Sequence, residues 1–183
     1  MHAVPPLRGR FGRPYTFVDR CASTQRLLDG APEGAIAVTD EQTEGRGRLG
    51  RSWQAPAGTS LLFSIVLEPR VSAERLPELS LVAGAAVAEA VETETGLATE
   101  VKHPNDVLVG GRKVAGILAE AVDSRVVLGV GVNLSQTEGQ LPDAAPATSL
   151  ALEGAAVERD ALLVTVLERL EARYDAWVTA AGT

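Results

Sequence analysis

Short apolar runs, separated by glycine, proline and polar residues, divide this chain into elements. Runs rich in valine, isoleucine and leucine are typical of buried strands. We expect seven strands, at residues 15–18, 34–38, 60–67, 99–102, 107–109, 112–121 and 126–132. Gly110 and Gly111 lie between two of these runs. Because glycine adopts positive φ freely, this pair predicts a tight hairpin turn.

Apolar residues at helical spacing predict two long helices. The first covers residues 72–95, with Ser72 as its N-cap and Gly96 as its C-terminal stop. The second closes the chain and has the apolar stripe Leu162, Val166, Leu170, Tyr174, Trp177 and Val178. We also expect a brief helix, an irregular connection and an N-terminal arm, at residues 23–29, 134–156 and 1–14.

Strands adjacent in sequence, together with two long helices, indicate a mixed α/β layer fold. The length of 183 residues and a hydrophobic content of 45% suit one domain, which we place at residues 15–183. Lys and Arg total 17 against 24 Asp and Glu, and the resulting charge of −7 disfavours nucleic-acid binding. The single cysteine excludes an internal disulfide, and two histidines leave no zinc-type cluster.

The start of the chain and its hydropathy bear on location. No apolar stretch approaches the roughly 18 residues that a bilayer span needs, and the opening MHAVPPLRGRFGRP lacks the apolar core of a signal peptide. We therefore expect a cytoplasmic protein that does not contact the membrane.

A polar, glycine-rich connection at residues 39–59 joins two predicted buried strands. Connections of this length usually have a function or are disordered. Its arginines concentrate positive charge in an acidic protein, and its glycines let backbone amides approach a ligand closely. The arginines are Arg46, Arg48 and Arg51, and the glycines are Gly45, Gly47 and Gly50. The segment therefore predicts an anion-binding loop, with a flexible surface loop as the alternative. Trp53 either stacks on a base or anchors the loop by burial.

A second polar cluster surrounds the predicted hairpin. Pro104, Asn105 and Asp106 follow one strand, and Lys113 comes just after the Gly-Gly turn. Taken alone, these residues suit an ordinary turn and a solvated edge lysine. Gly116 interrupts an apolar strand, which favours a bulge or a close approach of ligand to backbone.

Two nucleotide-binding motifs are excluded. VVLGVGVNLS lacks the third glycine of a dinucleotide fingerprint, and no helix is predicted directly after it. The chain has no G-x-x-x-x-G-K-[ST] sequence, so a P-loop is absent. Asn133, at the end of this strand, suits either a phosphate contact or a capped turn.

Four segments, in this order and spacing, resemble the catalytic domain of biotin protein ligases: Ser23-Thr24-Gln25, TDEQTEGRGRLGRSW, KHPNDVLVGGRKVAGILAE and GVGVN. The resemblance covers residues 15–177. It implies a class II aminoacyl-tRNA synthetase-like α+β fold, a mixed sheet packed with helices. It also implies that biotin and ATP form biotinyl-5′-AMP, after which biotin passes to a lysine of a biotin carboxyl carrier domain of a biotin-dependent carboxylase.

The resemblance also implies residue roles. Lys113 and Arg48 would be catalytic, close to the reacting carboxylate and α-phosphate. Biotin would contact Ser23, Thr24, Gln25, Gln42, Gly45, Arg46, Gly47, Arg48, Lys113 and Gly116. ATP and the adenylate would contact Arg48, Arg51, Trp53, Lys102, Asn105, Asp106 and Asn133. Mg²⁺ would arrive with ATP and lie near Asp106.

This sequence departs from the family pattern at three places. Gln25 replaces the usual asparagine, and His103 replaces the usual tryptophan. The chain has neither a helix-turn-helix segment nor the C-terminal β domain, so we expect no DNA binding; a homodimer is left open. The rival interpretations are a lipoate-type ligase and a non-catalytic module that binds biotin or an acyl-adenylate.

Overall fold

A seven-stranded sheet forms the centre of the computed structural model, which describes residues 3–142 and 146–181. The strands are β1 (Tyr15–Cys21), β2 (Ile36–Gln42), β3 (Ser60–Leu67), β4 (Thr99–Lys102), β5 (Asp106–Val109), β6 (Arg112–Val122) and β7 (Arg125–Asn133). Their order across the sheet is β1-β2-β3-β7-β6-β5-β4. β1 and β2 pair in parallel, and the other neighbours pair antiparallel.

Two long helices, α1 (Leu79–Thr95) and α2 (Arg159–Ala181), pack together on one face of this sheet. Gly96 ends α1 in the left-handed conformation, with φ 73°, as predicted. The start of the first predicted helix was wrong. Residues Ala73–Glu78 form a 3₁₀ helix that contains Pro77, and the Ser72 side chain makes no capping hydrogen bond. The proline has no N–H to donate, which explains why regular α-helix begins only after it.

The two faces of the sheet differ because side chains alternate along each strand. On β3, Leu61, Phe63 and Ile65 belong to the core beneath the helices. The opposite face has small residues at its centre, namely Ser64, Gly116, Gly129 and Gly131, and we call it the glycine face. The 3₁₀ helix Thr24–Leu28 and the indole of Trp53 cover it. The sheet therefore has one apolar face and one face whose small residues let the 3₁₀ helix and the Trp53 ring lie close to the backbone.

A β-bulge interrupts β6 beside the Gly-Gly turn. Val107 pairs with Ala115 and Leu108 pairs with Lys113, so Val114 is the extra residue. The backbone of Lys113 also forms hydrogen bonds with residues 146–148: its N–H donates to the Pro146 carbonyl, and its carbonyl accepts from the Thr148 N–H. A bulge reverses the alternation of side chains. Here it directs Lys113 to the glycine face.

The residues before β1 pack against α2. Phe11 is 1% exposed, and its ring centroid lies 5.5 Å from that of Tyr174. The Phe11 N–H donates to the Glu171 carboxylate at 2.9 Å, and the Arg10 guanidinium pairs with Asp175. Residues 3–14, predicted as an arm, thus have no regular secondary structure yet contribute Leu7 and Phe11 to the core.

The remaining predicted elements are present, several of them with shifted bounds; the brief helix predicted at 23–29 is the 3₁₀ helix Thr24–Leu28. β3 and β4 have the predicted bounds, and Gly110 and Gly111 form the hairpin turn at positive φ. Of the predicted irregular connection, residues 143–145 lie outside the described residues, and residues 134–142 and 146–156 have only a short 3₁₀ turn and one bridge, at Ala147. β1 extends three residues beyond its predicted end. β2 begins at Ile36, two residues after its predicted start, and ends four residues beyond its predicted end. Across the described residues, neither long helix is sufficiently apolar to cross a bilayer.

Candidate active site

The indole of Trp53 lies directly on the glycine face. A Cβ added to Gly116 would be 2.9 Å from the Trp53 ring, and one added to Gly131 would be 2.7 Å from it. Distances under about 3.0 Å essentially never occur for real Cβ atoms, so the ring needs glycine at both positions. The indole Nε1 is buried without a hydrogen-bond partner. Gly116 was predicted to mark a bulge or to admit a ligand to the backbone. In this structure it leaves room for the Trp53 ring, and the bulge lies two residues earlier, at Val114.

Residues 45–53, which we call the cationic loop, form a small hairpin beside Trp53. The Trp53 N–H donates to the Gly45 carbonyl at 2.8 Å, and the Gly47 N–H donates to the Arg51 carbonyl at 2.8 Å. The strands approach so closely that a Cβ on Gly45 would lie 2.3 Å from the Trp53 carbonyl oxygen. At the tip, Leu49 is 87% exposed and has φ 58°. The predicted loop is therefore a hairpin with a fixed base and an exposed tip.

Lys113 and Arg48 contact adjacent residues, Asn105 at the end of the β4–β5 connection and Asp106 at the start of β5, which we together call the Asn105–Asp106 turn. The Lys113 ammonium lies 2.8 Å from Oδ1 of Asp106 as an ion pair, and 5.6 Å from the centroid of the Trp53 ring. The Arg48 guanidinium donates to Oδ1 of Asn105 at 3.4 Å. Two cationic groups from separate elements thus meet at adjacent residues. Such an arrangement can neutralise two anionic groups of a ligand held between them.

Asn105 is itself fixed to the sheet. The side-chain amide of Asn105 donates to the Ile117 carbonyl at 3.0 Å, and the backbone carbonyl of Asn105 accepts from the Ile117 N–H at 2.9 Å. These two bonds hold the turn beside β6. β6, the strand that contains Lys113, therefore also holds in place the turn that Arg48 and Lys113 contact.

Polar groups lie at the other end of the glycine face. Oε1 of Gln42 accepts from the Thr24 N–H at 2.8 Å and from the Thr24 hydroxyl at 3.0 Å. The hydroxyls of Thr24 and Ser64 are 2.7 Å apart. Because the Thr24 N–H can only donate, the Gln42 amide presents its NH₂ group away from Thr24, toward the cationic loop. Ser23, like Thr24, is 3% exposed.

The remaining residues predicted to contact ATP differ in how exposed they are. Lys102 and Arg51 are exposed, with Lys102 opposite Asp106 in the β4–β5 pair. Asn133 is 6% exposed; its amide donates to the Thr148 carbonyl and accepts from Gln136, at 3.0 and 2.9 Å. This supports the capped-turn alternative for Asn133, and its nucleotide contact stays a prediction.

Gln25 has a contact that its predicted role did not include. Its Oε1 accepts from the Arg46 guanidinium at 3.0 Å, and the same nitrogen of Arg46 donates to Glu120 at 2.6 Å. Glu120, Ser64 and Gly131 were not predicted as site residues. The alternation of β3, β6 and β7 would have placed all three on the glycine face, given the strand bounds.

Two further groups define the chemistry available here. Cys21 lies at the end of β1 opposite Gln42, and burial raises the pKa of its thiol, which disfavours the thiolate that a nucleophile needs. Among residues 3–142 and 146–181, no three His, Cys, Asp or Glu side chains cluster as metal ligands. A divalent cation could still bind through one carboxylate and the phosphates of a nucleotide. The Asp106 carboxylate suits that arrangement.

Comparison with known proteins decides the family. The sequence model of the biotin/lipoate A/B protein ligase family matches residues 17–136. The chain belongs to this family. The biotin/lipoate ligase family includes proteins with the same fold: the structure named biotin protein ligase from Aquifex aeolicus in complex with biotin and ATP matches with a TM-score of 0.80 and 33% identity, covering 91% of this chain and 73% of that one. The predicted mixed sheet packed with helices is confirmed.

Two curated members of the family are also similar in sequence. The bifunctional ligase/repressor BirA of Bacillus spizizenii is 35% identical over 181 residues, covering 92% of this chain and 56% of that protein. The biotin--[acetyl-CoA-carboxylase] ligase of Mycobacterium tuberculosis is 40% identical over 165 residues, covering 85% and 60%. The chain thus spans somewhat more than half the length of these relatives, and the resemblance to biotin protein ligases is confirmed.

Proposed function

We propose that this chain activates biotin with ATP to form biotinyl-5′-AMP and then transfers biotin to a lysine of a biotin carboxyl carrier protein. The observation that carries the proposal is the meeting of Arg48 and Lys113 at the Asn105–Asp106 turn. Relatives named as biotin ligases, and a related structure in complex with biotin and ATP, support the choice of substrates.

The first step brings two anions together. A carboxylate oxygen of biotin attacks the α-phosphorus of ATP, a P–O bond forms, and the bond to pyrophosphate breaks. The reactants repel each other, so cations placed between them lower the barrier chiefly by positioning and charge neutralisation. Lys113 would face the carboxylate and the α-phosphate, and Arg48 would close over the adenylate. Each is held near the Asn105–Asp106 turn before a ligand binds.

The second step needs no nucleophile from this chain. The amine of the acceptor lysine attacks the acyl carbon of the adenylate, AMP leaves with the bonding electrons, and the amine releases a proton. The raised pKa of Cys21 agrees with a mechanism in which no protein thiolate takes part.

Mg²⁺ bound with ATP would lie near the Asp106 carboxylate and neutralise phosphate charge.

The polar end of the glycine face suits the biotin rings. Thr24, Ser23 and Gln42 supply hydroxyls and an amide NH₂ that could bond a ureido group. Biotin would have to share or take the space over Gly116 and Gly131 that the Trp53 ring fills in this structure. Binding would therefore include a movement of Trp53.

Transfer to a carrier domain tests this proposal. The protein is incubated with MgATP, biotin and a biotin carboxyl carrier domain, and the carrier is weighed by mass spectrometry. We expect the mass increase of one biotinyl group, absent when arginine replaces the acceptor lysine. A carrier modified with lipoate but not with biotin would favour a lipoate-type ligase, and a carrier unmodified by either acid would favour a non-catalytic binding module. The homodimer, the lack of DNA binding and the cytoplasmic location stay predictions.

A further inference from the structure

Arg46 links the cationic loop to Glu120 and to the 3₁₀ helix Thr24–Leu28. A single guanidinium nitrogen, Nη2, donates to Oε1 of Gln25 at 3.0 Å and to Oε2 of Glu120 at 2.6 Å. Gln25 belongs to the 3₁₀ helix Thr24–Leu28, and Glu120 belongs to β6. We call these three residues the Arg46 cluster. It joins the loop to two elements that the loop does not adjoin in sequence.

Gln25 is positioned for this contact by the sheet beneath it. Its Nε2 lies 3.3 Å from the Leu118 carbonyl and 3.4 Å from the Val127 carbonyl, on the two strands β6 and β7. A Cβ on Gly129 would lie 3.2 Å from this nitrogen, so the glycine leaves room for the amide. An asparagine is one methylene shorter and could not span from the sheet to Arg46 in the same position. The glutamine therefore has a structural reason to be where it is.

Glu120 completes the cluster from the opposite side. It pairs with Val127 and lies on the same face of β6 as Gly116 and Leu118. The Arg46 and Glu120 side chains are 45% and 38% exposed, so water and salt screen their attraction. Such a contact is weak enough to open when a ligand enters and can close again behind it.

We propose that Gln25 and Glu120 are positioning residues that hold the cationic loop against the sheet by binding the Arg46 guanidinium. This inference rests on the proposed function only where it concerns ligand release; the hold on the loop requires no ligand. If the loop covers biotin and the adenylate, the fraction of time it stays closed sets how long they remain bound. The Arg46 cluster then affects dissociation more than the chemical step.

Hydrogen exchange without ligand tests the hold on the loop. We compare amide exchange at residues 46–52 in the parent, Glu120→Ala, Glu120→Gln and Gln25→Asn. We expect exchange about two- to fivefold faster in Glu120→Ala, the range for a surface ion pair, and a smaller increase in Glu120→Gln, which keeps an acceptor. The increase should vanish in high salt, where the parent's exchange rises to the same value. Asp175→Asn is the matched control, because the Arg10–Asp175 pair is similarly exposed and lies against α2.

Unchanged exchange at residues 46–52 in Glu120→Ala and Gln25→Asn would overturn the proposal. The second measurement is the dissociation rate of biotin, which should rise by a similar factor in Glu120→Ala while the single-turnover rate of adenylation at saturating substrates stays the same. Faster exchange with an unchanged dissociation rate would overturn the link to ligand release. If the parent binds no biotin, the proposed function fails, and the exchange result still decides whether the Arg46 cluster holds the loop.

Discussion

Lys113 and Gly116 lie on the same face of β6 although they are three residues apart. In a regular strand such residues point to opposite faces. The bulge at Val114 removes the difference, and the Lys113 ammonium comes within 3.0 Å of the position that a Cβ on Gly116 would occupy. The spacing Lys-x-x-Gly thus has a geometric meaning, since it places a cation over a glycine that leaves room for it.

Removal of the Lys113 charge tests its predicted part in adenylation. We expect Lys113→Met to lower the rate of adenylate formation by about 10²- to 10³-fold, because a cation aimed at the reacting groups is lost. The measurement is single-turnover formation of biotinyl-5′-AMP. Arg70→Met, which removes an exposed cation just after β3, should have a much smaller effect. Equal rates for Lys113→Met and the parent would contradict the role.

Arg48 should affect retention of the adenylate more than its formation. We expect Arg48→Gly to speed adenylate dissociation by about 10- to 100-fold, the range for loss of a hydrogen bond to a charged group. Formation should slow less than in Lys113→Met. Release can be followed by rapid filtration of preformed radiolabelled adenylate. The control is Arg70→Gly, which changes an exposed arginine just after β3. Equal release from Arg48→Gly and the parent would refute this division of roles.

The glycine face can be tested by adding single methyl groups. Gly131→Ala and Gly116→Ala would each force the Trp53 ring to move, since it lies 2.7 to 2.9 Å from the new carbon. We expect folded proteins, destabilised by about 1–3 kcal/mol, whose KM for biotin is raised on the order of 10- to 100-fold. Gly139→Ala is the control, because nothing lies within 4 Å of its added Cβ. Parent-like KM in both variants would show that Trp53 and biotin do not share this space.

Local pattern was sufficient for most of the fold. Ser60–Leu67 has the predicted bounds because eight apolar or small residues between turn signals are buried wherever the strand lies in the sheet. Gly116 indicated a bulge or a close ligand approach, but the position of the bulge at Val114 could not be predicted, since it depends on pairing with β5 and with residues 146–148. Phe11 was missed for a similar reason: its burial depends on α2, which is 160 residues away in sequence.

The site was predictable in its cations and less so in its supports. Arg48 stood out by its charge and its glycine neighbours, whereas Lys113 was singled out only by the resemblance to biotin protein ligases. The two side chains contact adjacent residues, Asn105 and Asp106. The contacts of Gln25 with Arg46, and the position of the Trp53 ring, depend on tertiary distances that spacing along the chain does not give. Amide side chains are long enough to serve either a ligand or the protein. Sequence therefore suggested a ligand contact where the structure shows a contact with Arg46.

Acid should weaken the packing of residues 3–14 on α2. A hydrogen bond from the Arg10 guanidinium, and its charge, hold the pKa of Asp175 below its ordinary value. A carboxyl group with a lower pKa in the folded state stabilises the fold above its unfolded pKa, about 3.9 for aspartate. That contribution is lost as the pH falls through the lower folded value.

We therefore expect Asp175→Asn to lower the free energy of unfolding at pH 7 by at most about 1 kcal/mol, since both side chains are half exposed. The difference between variant and parent should shrink between about pH 5 and pH 2. Thermal unfolding at several pH values measures it. A difference that stays constant across this range would show that the Arg10–Asp175 pair has no part in the pH dependence.

In the proposed mechanism, two cations at the Asn105–Asp106 turn promote formation of biotinyl-5′-AMP from biotin and ATP. Exchange of labelled pyrophosphate into ATP tests this mechanism most directly. The reaction reports formation and reversal of the adenylate without any carrier protein. We predict exchange that requires biotin, is not supported by lipoate, and is lost in Lys113→Met while Arg70→Met retains it. Exchange that proceeds without biotin, that lipoate supports instead, or that survives in Lys113→Met would contradict the account.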